Sequence, residues 1–585
     1  MPTIKLSSVR RTVQLFRQLI DPMCKTVPCS NLRSTKPPFS PTRITCPLPR
    51  AVPESQGVPS AVIRRFLRAL AANRSICPHE VLVLRNGFVL AQAYFGAQEP
   101  NMWRHLFSAC KSVASLAVGI LIGEGKLSLN TRVLAVLEKH AQSLAHLHLN
   151  SLTVEQLLTM TSGILFNEAE AFAEDDWLSG CLNAVLNGEP GKTFRYNSLN
   201  TYLLSAVVQE ITHMSLAEFV RSRLFEPLGI TQFHWETCPR GITRGGWGLY
   251  LQAEDLAKIA QLVMQRGRWN GRQLVPSEYV ERAVTAQVSV PKAFGLFDYG
   301  YHIWRARRAD VFLFNGMFGQ NALGFRKNGI VIVMTAGNCD LFQTNAFFAQ
   351  ALRIFDVPFG SRLPAAPHAY MQLRRTIASF SHYRCHARGF LPRTCAMLNG
   401  MCLMTRETSR CSVGLLPLVL QISENNYTAG FAGLCFHVRG KVFEAEYREV
   451  DEVHRFPVGF TAPVVTQLTF HGQPFRVAVS GAFAHDADGR QVLKLRLDFT
   501  ETPCTRFLRV IFEDSGAVLQ QAERPDEQVL QRGIPLLVHG CNTKGWAEVL
   551  LHKMDTDYAA HALRRLFRPQ LRLQKCSLRS EIKKM

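Results

Sequence analysis

The sequence contains no apolar run long enough to cross a bilayer, so no membrane-spanning segment is expected. Its 16 cysteines are scattered from Cys24 to Cys576, and no two form a Cys-x-x-Cys pair. This excludes the dense disulfide framework of a small secreted domain, and reduced thiols in a cytoplasmic protein are expected. Cys385, His386, Cys395, Cys402 and Cys411 form a looser cluster, but their spacings fit no standard zinc site, so no metal is expected. Acidic residues are scarce: 45 Asp and Glu stand against 67 Lys and Arg, a net charge of +22. An anionic partner is one reading of that excess; an Arg-rich proteome or a basic tail is the other. The basic residues lie along the whole chain without an aromatic-basic stripe, so no nucleic-acid partner is expected.

What is present is a globular composition, 47% hydrophobic and 19% charged over 585 residues. That is too long for one core, so two or three domains are expected. Residues 1–50 are basic, with Asp21 their only acid, and lack a signal-peptide core. An Arg-rich, acid-poor start fits a mitochondrial transit peptide, but a disordered leader, ending in a proline-rich loop, is the reading adopted.

One stretch organises the rest of the chain: His105-Leu-Phe-Ser108-Ala-Cys-Lys111, continuing to Gly123. Val113, Leu116, Ala117, Ile120 and Leu121 recur at helical spacing, and few polar residues interrupt them, which predicts a largely buried helix. Gly119 and Gly123 would admit close neighbours. Ser108 and Lys111 stand three residues apart at its start, so their side chains can meet. Burial and a helix N-terminus both disfavour a charged lysine. Lys111 could then accept the proton of Ser108, as an activated nucleophile requires. A capping serine and a snorkelling lysine would give the same tetrapeptide.

Around this helix, Glu80–Tyr94 reads as a hairpin about Asn86-Gly87. Thr153 caps a short helix that Gly163 ends, and Tyr196-Asn197-Ser198 leads into another helix. Strand patterns return at Tyr299–Trp304, Val311–Phe314 and Gly329–Thr335, and Thr344–Phe355 reads as a closing helix. Strands thus flank a mostly helical middle. The domains read as 51–357, a linker at 358–405, a β-rich unit at 406–520 and an extension at 521–585. In the β-rich unit Gly414–Ile422, Ala429–Arg439, Val464–Phe470, Phe475–Val479, Val492–Phe499 and Arg506–Phe512 are expected strands. The extension ends in a basic, solvated tail with Lys583 and Lys584.

Ser108-x-x-Lys111, the Leu-Leu-Thr-Met-Thr-Ser-Gly163 segment, the Tyr196 motif and Phe225-Glu-Pro-Leu-Gly-Ile230 occur in an order that resembles the serine β-lactamase-related family. That family includes class C β-lactamases, penicillin-binding DD-peptidases and esterases. The resemblance covers roughly residues 50–355. It implies an α/β (α+β) three-layer fold, an antiparallel sheet with helices and an all-helical subdomain, here followed by a smaller β-rich domain. It also implies catalytic roles for Ser108, Lys111 and Tyr196, with Lys111 and Tyr196 sharing the proton and no cofactor needed.

Two departures from the family pattern bear on substrate. Ser198 stands where the family's tyrosine motif has asparagine. Asn315-Gly316-Met317-Phe318-Gly319-Gln320 replaces the Lys-Thr-Gly or His-x-Gly motif. Gly319 would match the motif glycine and leave room for substrate, and the N–H of Gln320 would join that of Ser108 as an oxyanion hole. Met317 supplies no cation for a β-lactam or peptide carboxylate. The expected function is therefore an esterase or amidase on a small substrate. The alternative is an impaired relative that binds a ligand or partner in the same cleft. Trp247 and Trp304 could line that cleft or belong to the core.

Overall fold

A computed structural model describes residues 33–141, 149–166, 168–172, 174–291, 295–339, 345–381, 392–405, 413–529 and 564–576. Most of the basic leader, Cys385, His386, Cys411, Lys583 and Lys584 lie outside those residues. Among the described residues no helix is long and apolar enough to cross a membrane, and no three His, Cys, Asp or Glu side chains cluster to hold a metal ion.

The Asn86-Gly87 dipeptide sits at φ 51° and 84°, the mirror-image turn that matches strand twist. It joins β1 (Pro78–Arg85) to β2 (Phe88–Tyr94). The chain then leaves the sheet for a helical region and returns near residue 297. It completes the sheet with β5 (Phe297–Tyr299), β6 (Trp304–Ala306), β7 (Val311–Gly316), β8 (Gln320–Phe325) and β9 (Ile330–Ala336). The seven strands run in the order β2-β1-β9-β8-β7-β6-β5, every neighbour antiparallel. Residues Tyr299–Trp304, read as one strand, are two, because the chain turns at Gly300–Ile303.

One face of this sheet carries α1 (Ser60–Ala72) and α5 (Asn345–Phe355), whose apolar residues join Val81, Val83, Leu323 and Ile332 in one core. The other face meets α2 (Cys110–Gly123), α3 (Leu199–Thr212) and α4 (Ala253–Met264) in a second core. Helix α2 is buried on nearly every side. A Cβ on Gly119 would lie 2.4 Å from the Tyr279 ring, and one on Gly123 would lie 2.5 Å from Pro276. These glycines therefore let the Tyr279 helix approach. Ser115, the polar residue inside α2, exchanges a 2.9 Å hydrogen bond with the Tyr279 hydroxyl, so its burial leaves no unmet polar group.

The second sheet has ten antiparallel strands. Its β10 (Cys402–Thr405), β11 (Phe431–Arg439), β12 (Val442–Glu449) and β13 (Val453–Pro457) lead to β14 (Val464–Phe470), β15 (Gln473–His485), β16 (Gln491–Phe499), β17 (Thr505–Glu513), β18 (Gly516–Arg524) and β19 (Gln570–Cys576). Their order is β13-β12-β11-β10-β19-β18-β17-β16-β15-β14. The edge strands β13 and β14 lie against each other, which makes the sheet barrel-like around a core including Leu403, Phe436, Phe443, Val477 and Leu495.

Several expectations change here. Gly414–Ile422 is not a strand: Leu418–Ser423 is helix α7, started by Pro417 and fixed by the Leu418 N–H donating to Glu523 at 2.9 Å. The tail is not all solvated, since β19 pairs with both β10 and β18. Within the supposed linker, α6 (Pro367–Phe380) packs on α1. Residues 33–50 are not a disordered leader: Lys36, Phe39 and Leu48 are buried. Nor are all thiols reduced. Cys402 and Cys435, directly opposite on β10 and β11, form a disulfide, while Cys395 is free and buried.

The two sheets meet along β3 (Trp103–His105), the strand leading to Ser108. Glu501, between β16 and β17, accepts from Trp103 Nε1 at 2.6 Å and from Lys36 Nζ at 3.0 Å. The His105 N–H donates to the Glu501 backbone carbonyl at 2.9 Å. Phe39 stacks on Trp103 with ring centroids 4.0 Å apart. Residues 34–39 thus form a strap running between the two units.

Candidate active site

Ser108 lies in a single 3-10 turn, Phe107–Ala109, that opens directly into α2. It is part-exposed. Lys111, one turn further, is buried to 1% exposure. Its Nζ lies 2.9 Å from Ser108 Oγ, 2.8 Å from Ser198 Oγ and 2.7 Å from the Gly246 carbonyl oxygen. Burial pulls its pKa down from 10.5 to about 8, because a low-polarity surrounding penalises the ammonium. Once neutral, the amine has two N–H donors for Ser198 and Gly246. Its lone pair is left for the Ser108 hydroxyl proton.

Tyr196 enters from the loop before α3. Its hydroxyl hydrogen-bonds Ser108. Its ring stacks on Trp304 at 5.9 Å, and Lys111 Nζ sits 5.0 Å from the ring centroid. Burial pushes the phenol pKa well above 10, and Glu168 adds to the rise. Burial therefore disfavours both the ammonium of Lys111 and the phenolate of Tyr196, so of the two residues expected to share the proton Lys111 is the one whose proton-accepting form burial favours. Ser198 stands just before α3 without capping it, is buried, and gives its backbone N–H to Glu168 Oε1 at 2.9 Å. Its hydroxyl oxygen accepts from Lys111 Nζ.

The β7–β8 turn borders Ser108 on the other side. A Cβ on Gly316 would lie 2.2 Å from the Leu106 carbonyl oxygen and 3.2 Å from the Ala109 nitrogen, so glycine lets this edge reach the nucleophile turn. Gly319 has φ +90°, and a Cβ there would lie 2.5 Å from Asn338 Nδ2. Only glycine fits at this position, because a side chain would meet Asn338 and Ala336. Gln320 is buried, its amide donating to the Ala336 carbonyl at 2.7 Å. Met317 is part-exposed and packs on the cluster of Phe107, Phe318 and Val529, and its own side chain carries no charge.

Trp304 backs Tyr196, whereas Trp247 stacks on Trp177 at 5.3 Å in the helical core. Two arginines preceding Trp247 in the sequence are already engaged. Arg240 pairs with Asp176 at 3.2 Å, and buried Arg244 lies 3.7 Å from Glu236. Sequence reasoning missed Glu168 and the Gly246 carbonyl. Neither carries a local signal: one is an acid among acids, the other a main-chain atom.

Residues 52–338 match the family described as Beta-lactamase. Protein flp of Staphylococcus aureus (strain NCTC 8325 / PS 47) is 27% identical over 172 residues, covering 26% of this chain and 33% of its own length. The 6-aminohexanoate-dimer hydrolase of Paenarthrobacter ureafaciens is 26% identical over 226 residues, covering 35% of this chain and 56% of its own. The chain thus spans between 33% and 56% of the length of these curated relatives. The solved structure of EstCE1, a hydrolase with promiscuous acyltransferase activity, has a TM-score of 0.44 and 17% identity over 50% of this chain and 98% of its own. Residues 52–338 are therefore a β-lactamase-family domain, carried here on a chain that goes on into a second, barrel-like sheet.

Proposed function

We propose that the chain is a serine hydrolase acting on a small neutral ester or amide through an acyl-enzyme on Ser108. One observation carries this reading: a buried lysine with its pKa pulled to about 8 stands 2.9 Å from the hydroxyl of a part-exposed serine. Neutral Lys111 takes the Ser108 proton as Oγ attacks the substrate carbonyl carbon. The N–H groups of Ser108 and Gln320 receive the negative oxygen. As the bond to the leaving group breaks, the proton on Lys111 passes to that group by way of Tyr196, which gives its own proton and takes one back. A water molecule then repeats the sequence on the acyl-serine, releasing the acid and the free serine.

Met317 favours neutral substrates, because its side chain supplies no charge where the family motif carries a cation. The partial likeness to 6-aminohexanoate-dimer hydrolase keeps linear amides beside esters as candidates. The test is labelling with a fluorophosphonate probe. The probe is expected to modify the wild-type protein and leave Ser108→Ala unmodified. An unlabelled wild type would instead favour an impaired relative that only binds.

A further inference from the structure

Two residues beside the proposed oxyanion donors hold backbone angles that side chains resist. Phe107, next to Ser108, has φ +48°, and Phe318, two residues before Gln320, has φ +63°. Neither is glycine, so each needs its surroundings to keep it there. Both side chains are buried, each 2% exposed. Their rings meet edge to face with centroids 5.0 Å apart, and Phe107 also meets His105 at 4.0 Å. The third buried member of this cluster is Val529, 3% exposed, which lies just beyond β18 of the other sheet. Val419 of α7 packs on the same cluster from the rim.

We infer that Val529 is a positioning residue: the barrel-like domain holds the Ser108 and Gln320 N–H groups in register by locking the Phe107 and Phe318 rings. A flexible turn on either side would let one donor drift from the other. Oxyanion donors act in the transition state, so a drift lowers kcat and leaves KM nearly unchanged. A displacement of about 1 Å in such a group costs on the order of a hundredfold. Loss of two methyl groups moves the rings less than that.

The kinetic arm rests on the proposed hydrolase activity; a second arm does not. Val529→Ala should lower kcat on a neutral aryl ester about tenfold with KM within twofold, and Val529→Ile should recover most of the loss. Amide hydrogen exchange at residues 107–109 and 317–320 should quicken about tenfold in Val529→Ala. Should that variant not fold, Val419→Ala is expected to quicken exchange at 317–320 about threefold. If the wild type turns over no ester and takes no fluorophosphonate, the hydrolase reading fails, and the exchange arm still decides this inference. Unchanged exchange in the folded variants would overturn it. So would a raised KM at constant kcat, which would mean that Val529 touches substrate.

Discussion

At the floor of the site, the three hydrogen-bonding contacts of Lys111 come from within the β-lactamase-family domain: Ser108, Ser198 and the Gly246 carbonyl. At the rim, the rings of Phe107 and Phe318 meet a valine from the second domain. The floor is polar, with directional contacts at hydrogen-bond length. The rim is apolar and held by packing, which has no fixed direction and spreads over several residues. A polar floor fails sharply when one atom is wrong, whereas an apolar rim fails by degrees. In the proposed mechanism the separation also divides labour: the floor would break the bond, and the rim would keep the geometry.

The sharpest way to break the comparison is at Lys111. Lys111→Arg should lose about 10²- to 10⁴-fold in kcat/KM on a neutral aryl ester, close to the loss in Lys111→Ala, because a guanidinium keeps its proton. A mild loss in the arginine variant would make Lys111 only a positive charge. Next is the strap. Lys36→Met strands the buried Glu501 carboxylate, and denaturant unfolding should report a loss of about 3–5 kcal/mol; no change would mean that the contact between the domains contributes little.

Substrate preference sharpens the rim. A charge-assisted hydrogen bond is worth about 1.5–3 kcal/mol, or roughly ten- to a hundredfold in rate. Neutral esters should outrun cephalosporins by at least that factor when both are assayed at equal concentration. Efficient cephalosporin turnover would show that another cation serves the missing role. The smallest effect concerns pH. In the proposed mechanism Lys111 acts as a neutral amine, and burial lowers its pKa from 10.5 to about 8. The kcat/KM should therefore climb about tenfold from pH 7 to a plateau above pH 9. A flat profile would rule out a titrating base.

The Ser108–Lys111 pair of the floor was legible in the sequence because its geometry is local, whereas the Gly246 carbonyl, 135 residues from Lys111, was not. Three residues on a helix put Ser108 and Lys111 on one face, and an apolar stretch announced the burial that lowers the lysine pKa. The Asn86-Gly87 hairpin was legible for the same reason. The raised pKa of Tyr196 was not, since it comes from burial created by the assembled fold. Strand β19 was hidden by charge. Leu571 and Leu573 do alternate with polar residues, but the basic residues around them read as a tail. Leu418–Ser423 is a six-residue run, mostly apolar, and such runs do not reveal by themselves whether they coil or extend. The Val529 contact left no trace, because nothing periodic links it to Phe107.

The strap has a consequence for the order in which the protein can be completed. Lys36 and its partner Glu501 are 465 residues apart. On a ribosome the lysine emerges early, and its carboxylate arrives only when most of the chain has been made. Until then the ammonium must stay in water, and Trp103 must wait for a hydrogen-bond acceptor. The β-lactamase-family domain can therefore be synthesised whole while its seam with the barrel stays open. That seam can close only once residue 501 has been made, which brings an early described stretch of the chain and a late one together on the strand that leads to Ser108.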